Sequence, residues 1–123
     1  MNLNTVEIKA FVPSRDLAVS VAFYRTLGFE IVWANDAMAY VRHGSGSFLL
    51  QHFYVPEHAR NFMMHMQVEN VDDWHRHVLA CGVIAKFATQ VGQPEDRPWG
   101  IRDFTLVDPS SVLWRVGEQL PLT

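Results

Sequence analysis

A single cysteine, Cys81, is the only thiol in the 123 residues, so no disulfide can form within the chain, and a reducing compartment suits it. Long apolar runs are missing as well: none approaches the roughly 20 residues that span a bilayer. The opening stretch, MNLNTVEIKA, has neither the basic start nor the apolar segment of a signal peptide. Positive charge is also scarce. With a formal net charge of −3 the chain lacks the basic surplus that marks nucleic-acid binders. So small an acidic excess is compatible with a cationic small ligand. These absences lead to the expectation of a cytoplasmic protein with no membrane span and no nucleic-acid partner. What remains is ordinary: 49% hydrophobic and 19% charged residues, enough for the core of a single domain over 1–123.

The chain repeats itself. Ile8 to Trp33 and Met64 to Phe87 each read as an extended segment, a polar corner, an amphipathic helix, a glycine stop and another extended segment. An offset of 54 carries Asp16 onto Asn70, Gly28 onto Gly82, Lys9 onto Met63 and Trp33 onto Phe87. In the first helix Val19, Phe23 and Leu27, with Ala22 beside them, form an apolar stripe. Ser14 or Asp16 caps its start, and Gly28 takes the left-handed conformation that ends it. The second helix places Val71, Trp74, Val78 and Cys81 on one face. His75, Arg76 and His77 fall on the other, where a solvated role is expected of the two histidines rather than metal binding.

The remaining stretches alternate with period two. Met38–His43 and Ser47–Tyr54 read as strands joined by a Gly44-Ser45-Gly46 hairpin turn. Val83–Gln90, Gly100–Val107 and Val112–Gly117 are the strands expected of the second half, the last two linked by the turn residues Asp108 to Ser111. Val91–Trp99, holding Gly92, Pro94 and Pro98, is the longest loop. The expectation is an α+β fold of two βαβββ halves, about 1–58 and 59–123, whose curled mixed sheets surround a cleft and are backed by their helices.

Pro13-Ser14-Arg15-Asp16, then Phe23-Tyr24 with Leu27-Gly28-Phe29, then Pro98-Trp99-Gly100 leading into Asp108-Pro109, stand in this order across nearly the whole chain. In these motifs the sequence resembles the vicinal-oxygen-chelate superfamily, which includes glyoxalase I and extradiol dioxygenases, and within it the bleomycin-resistance proteins. The resemblance implies four inward strand positions that hold a divalent metal in the superfamily's enzymes. Here they fall on Lys9, Gln51, Met63 and Arg115. Lysine and arginine are cations at neutral pH and methionine is a soft ligand, so no metal or other cofactor is expected. A one-residue slip in strand register exchanges the two faces. The alternative it allows is a displaced metal set of His52, His65 and Glu118, serving a glyoxalase-like or dioxygenase-like enzyme.

The resemblance further implies a homodimer that sequesters a bleomycin-type drug, without catalysis, by stacking the drug's flat tail between aromatic side chains. Carried over by motif, the stacking positions are Trp33, Met38 and Trp99. Flat aromatic partners and cations over an indole face each gain about 0.5–1.5 kcal/mol. Asp36, with Glu95 and Asp96, is placed to steer a cationic ligand. Gln51 and His65 would belong to the cavity wall. Lys9 and Arg115, if both line the floor, would favour an anionic group there, or polarise a carboxylate or enolate in a metal-free enzyme.

Overall fold

The computed structural model describes residues 1–122. It contains two four-stranded mixed sheets, neither closed into a barrel. The first holds β1 (Phe11–Pro13), β2 (Glu30–Ala34), β3 (Met38–His43) and β4 (Gly46–Gln51) in the order β1-β4-β3-β2. The second holds β5 (Met63–Gln67), β6 (Glu95–Asp96), β7 (Ile101–Val107) and β8 (Leu113–Gln119) in the order β5-β8-β7-β6. In both sheets the first strand pairs with the last in parallel and the remaining pairs are antiparallel. This is the expected α+β pattern, repeated.

The helices start and stop on chemistry legible in the chain. Helix α1 (Leu17–Leu27) is capped by Asp16, whose carboxylate accepts from the Val19 amide, and ends at Gly28 with φ 108°. Helix α3 (Val71–Ala80) is capped in the same way by Asn70, which accepts from Asp73 N. Gly82 follows at φ 100°. The buried stripe of α1 is rotated from the expected one. Leu17, Ser20, Phe23, Tyr24 and Leu27 face inward, while Val19 is exposed. Ser20 is tolerated inside because its hydroxyl bonds to that of Ser14 at 2.7 Å, leaving neither group unpaired.

Three further expectations are corrected. Regular pairing in the first strand begins at Phe11, not Ile8. Val83–Gln90 is not a strand: Val83–Phe87 forms a short helix, α4, closed by Ala88 at φ 52°. A short run of β-branched and apolar residues does not distinguish strand from buried helix. Here the run packs on α1, with Phe87 edge-on to Phe23 at 5.5 Å. The strand duty passes to the two-residue β6. His75 is buried rather than solvated, edge-on to Phe104 at 5.1 Å, with Nε2 unpartnered.

Both halves contribute to one buried cluster. At its centre Tyr24, Phe29, Phe48 and Trp114 lie within 5.2–6.1 Å of one another, ring to ring. A short helix, α2 (Pro56–Arg60), leads from the first sheet into the second.

Candidate functional site

Each sheet turns one face to its helix and core, and leaves the other open. On the first sheet the alternation buries Val12, Ala39, Val41, Phe48 and Leu50. The opposite face carries a cross-strand row of Phe11, Leu49, Tyr40 and Trp33, paired in that order through the ladder. Trp33 owes its place to a bulge. Ile31 opposes Val41, yet Trp33 opposes Tyr40, so Val32 is the extra residue. A bulge of this kind re-aims the side chains that follow it. Without it Trp33 would stand opposite Ala39, on the helix side. Its indole sits edge-on to Tyr40 at 6.2 Å and is 44% exposed, so much of the ring is available to a ligand.

Met38 and Gln51 oppose each other at the end of the same face. Asp36 lies exposed in the turn before Met38. That turn is fixed by Asn35, whose side-chain oxygen accepts from the amides of Ala37 and Met38. Lys9 lies over the Tyr40 ring at 5.1 Å and pairs with Glu7 at 2.5 Å. Glu7 also accepts from the Tyr40 hydroxyl at 2.6 Å and from Ser47 at 3.2 Å. Lys9 foremost, and then Tyr40, hold the Glu7 carboxyl down to about 2. Phe11, Tyr40 and Leu49 are parts of this face that the sequence reasoning passed over, although the period-two alternation of their strands contained the signal.

The open face of the second sheet is polar at its centre. His65, Arg115 and Thr105 form one cross-strand row, and Gln67, Gly117 and Asp103 the next. Asp103 is buried and accepts from Arg97 Nε at 2.7 Å and from Arg115 Nη1 at 3.1 Å. Gly117 leaves room for this cluster: a Cβ there would stand 2.9 Å from Ile101 Cγ2 and 3.2 Å from His65 Nε2. Trp99 is 64% exposed in the turn joining β6 to β7, which closes with Gly100 at φ 86° donating to Arg97 O.

The expected site residues are therefore divided between two sheets. Trp33, Met38 and Gln51 lie on the first, with Lys9 just before β1 and Asp36 in the β2–β3 turn; His65 and Arg115 lie on the second, with Trp99 in its β6–β7 turn. Tyr40 is the ring that Trp33 contacts. Within one chain Lys9 and Arg115 do not share a floor: Lys9 lies beside the first sheet and pairs with Glu7, and Arg115 lies on the second and pairs with Asp103. Between the halves lies a cavity of about 700 Å³. Of the expected ligand residues His65 alone borders it.

The four positions where the resemblance would place a metal all face the open sides, Lys9 and Gln51 beside the first sheet's face, Met63 and Arg115 on the second's. They do not fit a divalent ion, since two of them are cations already fixed in ion pairs. The displaced set is not assembled either. His65 projects from the open face, whereas Glu118 points to the helix side and accepts from the Val71 amide at 2.9 Å. His52 follows β4 in the other sheet, and its amide donates to Ala37 O at 2.8 Å. Among the described residues no three His, Cys, Asp or Glu side chains are grouped to hold a metal. No helix among them is long and apolar enough to cross a membrane.

Paired βαβββ sheets with open faces and a shared core define the class of protein. Residues 4–116 match the description of the Glyoxalase/Bleomycin resistance protein/Dioxygenase superfamily, and the chain belongs to it. Among solved structures it is similar to a bleomycin resistance determinant encoded on the transposon Tn5. The two are 26% identical over 96% of this chain and 100% of that one, with a TM-score of 0.80. A bleomycin-binding protein complexed with bleomycin is 25% identical over 94% and 99%, with a TM-score of 0.78. Lactoylglutathione lyase from Agrobacterium tumefaciens shares the fold at 18% identity over 95% and 96%, with a TM-score of 0.68. No curated protein matches the chain.

Proposed function

We propose that this protein binds and sequesters a glycopeptide antibiotic of the bleomycin type, or a similarly flat, cationic small molecule, without catalysis. The groove would be closed by two copies of the chain. The observation that carries the reading is the exposed Trp33, edge-on to the half-buried Tyr40, with Met38 on the same face. Such a surface leaves the Trp33 indole in water as a stacking face for a flat partner, while Lys9 covers the Tyr40 ring beside it. Trp99, on the other sheet, supplies the second wall only if a second copy brings that sheet opposite the first. Asp36 is exposed, acidic and in no ion pair among the described residues, which favours a cation at the mouth, whereas Glu95 and Asp96, also exposed, are paired with Arg97 and Arg102. Similarity to two proteins named for bleomycin points the same way.

A dimer also answers a packing need. Leu3, Val6 and Ile8 lie exposed in the segment before β1, and apolar side chains of this kind favour a partner surface. The alternative, a metal-dependent glyoxalase-like or dioxygenase-like enzyme, has His65 on an open face in its favour and Glu118 on the wrong side against it.

The test is titration of metal-assayed protein with copper-loaded and metal-free bleomycin, followed by heat and by tryptophan emission. Saturable binding near one drug per subunit, with quenching, is the expected result. Absence of binding to either form overturns the reading, and stoichiometric metal in the purified protein would move attention to His52 and His65.

A further inference from the structure

The cavity between the two halves is a second place for a ligand, apart from the open faces. It lies between the β3–β4 hairpin of one half and β5 with the start of α3 in the other. Its volume, about 700 Å³, falls within the range of small-molecule sites. Phe29, Phe48 and Trp114 form a buried floor. Trp74, Met64 and Met66 are half-buried walls. Aromatic contacts run along it from Trp114 to Phe29 at 5.8 Å, Phe29 to His43 at 5.2 Å, and His43 to Trp74 at 5.1 Å. Thioethers adapt to ring edges, which suits walls that must close on a flat guest.

Charge decides what kind of guest. The lining includes the carboxylates of Glu69 and Asp73 and no lysine or arginine. Asp73 is paired with Arg76 on its own helix, whereas Glu69 makes no ion pair among the described residues and keeps its charge for the cavity mouth. The nearby helix start does not ask for an anion. Its Val71 and Asp73 amides already donate to Glu118 and Asn70 at 2.9 Å each. An aromatic interior with an unpaired carboxylate at the rim attracts a positive group and repels a negative one.

We propose that this inter-half cavity binds a compact aromatic cation, a fused-ring amine, with its rings against Trp74, Met64 and Met66 and its ammonium toward Glu69. The site needs no second copy of the chain and does not depend on the open-face groove.

Three probes of one shape test it: 1-naphthylmethylammonium, neutral 1-methylnaphthalene and anionic 1-naphthylacetate, each titrated into the full chain by two-dimensional NMR. The cation should bind saturably, with the largest shifts at the Trp74 indole N–H and the Met64 and Met66 methyls. Desolvated charge contrast should weaken the anion by at least about tenfold. Glu69→Gln, an exposed change that spares the core, should weaken the cation about threefold or more while leaving the neutral probe unchanged. Trp74→Leu should weaken all three. Equal affinity for cation and anion, shifts centred on Trp33 and Trp99, or no saturable binding would each overturn the proposal.

Discussion

The Tyr24 hydroxyl donates to Asp108 Oδ2 at 2.6 Å and so ties α1 to the turn between β7 and β8, 84 residues further on. Trp114 Nε1 donates to the same hydroxyl oxygen at 2.8 Å. Asp108 Oδ1 in turn accepts from the amides of Ser110 and Val112 at 2.8 and 3.0 Å. Burial pushes the Tyr24 hydroxyl well above its ordinary range, and the Asp108 charge adds to the effect. The phenol therefore stays a donor throughout the useful pH range. This network joins the two halves through their shared core.

Tyr24→Phe removes the hydroxyl and leaves both the buried carboxylate and the Trp114 indole without that partner. A loss of about 1–3 kcal/mol in stability is expected, read by urea unfolding. An unchanged midpoint would mean that the network holds nothing together.

Trp99→Ala should weaken bleomycin binding at least about tenfold, the loss of a stacked ring and its buried area, with circular dichroism and the unfolding midpoint unchanged. The ring is mostly in water, so its removal leaves no cavity. Unaltered affinity would remove the stacking wall from the second sheet.

The shared groove requires two copies. Light scattering behind size exclusion should give twice the chain mass at micromolar concentration. A clean monomer that still binds drug would sink the two-copy arrangement.

Glu7 sets a pH dependence. Its folded value, about 2, lies below the ordinary 4.5, so what it contributes is fully present above 4.5 and is lost as pH falls toward 2. The side-chain carboxyl carbon of Glu7, followed by NMR, should titrate well below the ordinary 4.5. Tyr40→Phe should move its midpoint upward. An ordinary midpoint in the wild type would mean that Lys9 and Tyr40 do not hold it.

Gly117→Ala should destabilise the second sheet by about 1–3 kcal/mol, the usual cost of overpacking. The added Cβ meets Ile101 Cγ2 at 2.9 Å, and a β-branched side chain in a strand has little freedom to retreat. Thermal unfolding with no loss would show that Ile101 yields easily.

Local signals accounted for most of the architecture. The spacing from Asp16 to Gly28 and from Asn70 to Gly82 placed both caps and both left-handed stops. Alternation located β3, β4, β7 and β8 to within a few residues. The site was legible as a set of residue types and much less as a geometry. Trp33 and Trp99 are exposed, as binding residues must be, yet nothing in their neighbours' identities announces which sheet face each occupies.

By itself, then, the sequence determined the repeat, the helix ends and the hairpins, and it marked Lys9, Met63 and Arg115 as poor ligands for a hard divalent ion. Those depend on dihedral preferences, nearest-neighbour hydrogen bonds and the chemistry of single side chains. Tertiary structure alone decided that Val83–Phe87 coils against α1, that His75 turns inward, that a bulge at Val32 swings Trp33 to the open face, and that Lys9 and Arg115 are each neutralised by a different carboxylate. Each of these is settled by which distant surface is there to be met, and a contact between residues far apart in the chain leaves no mark on the spacing near either one.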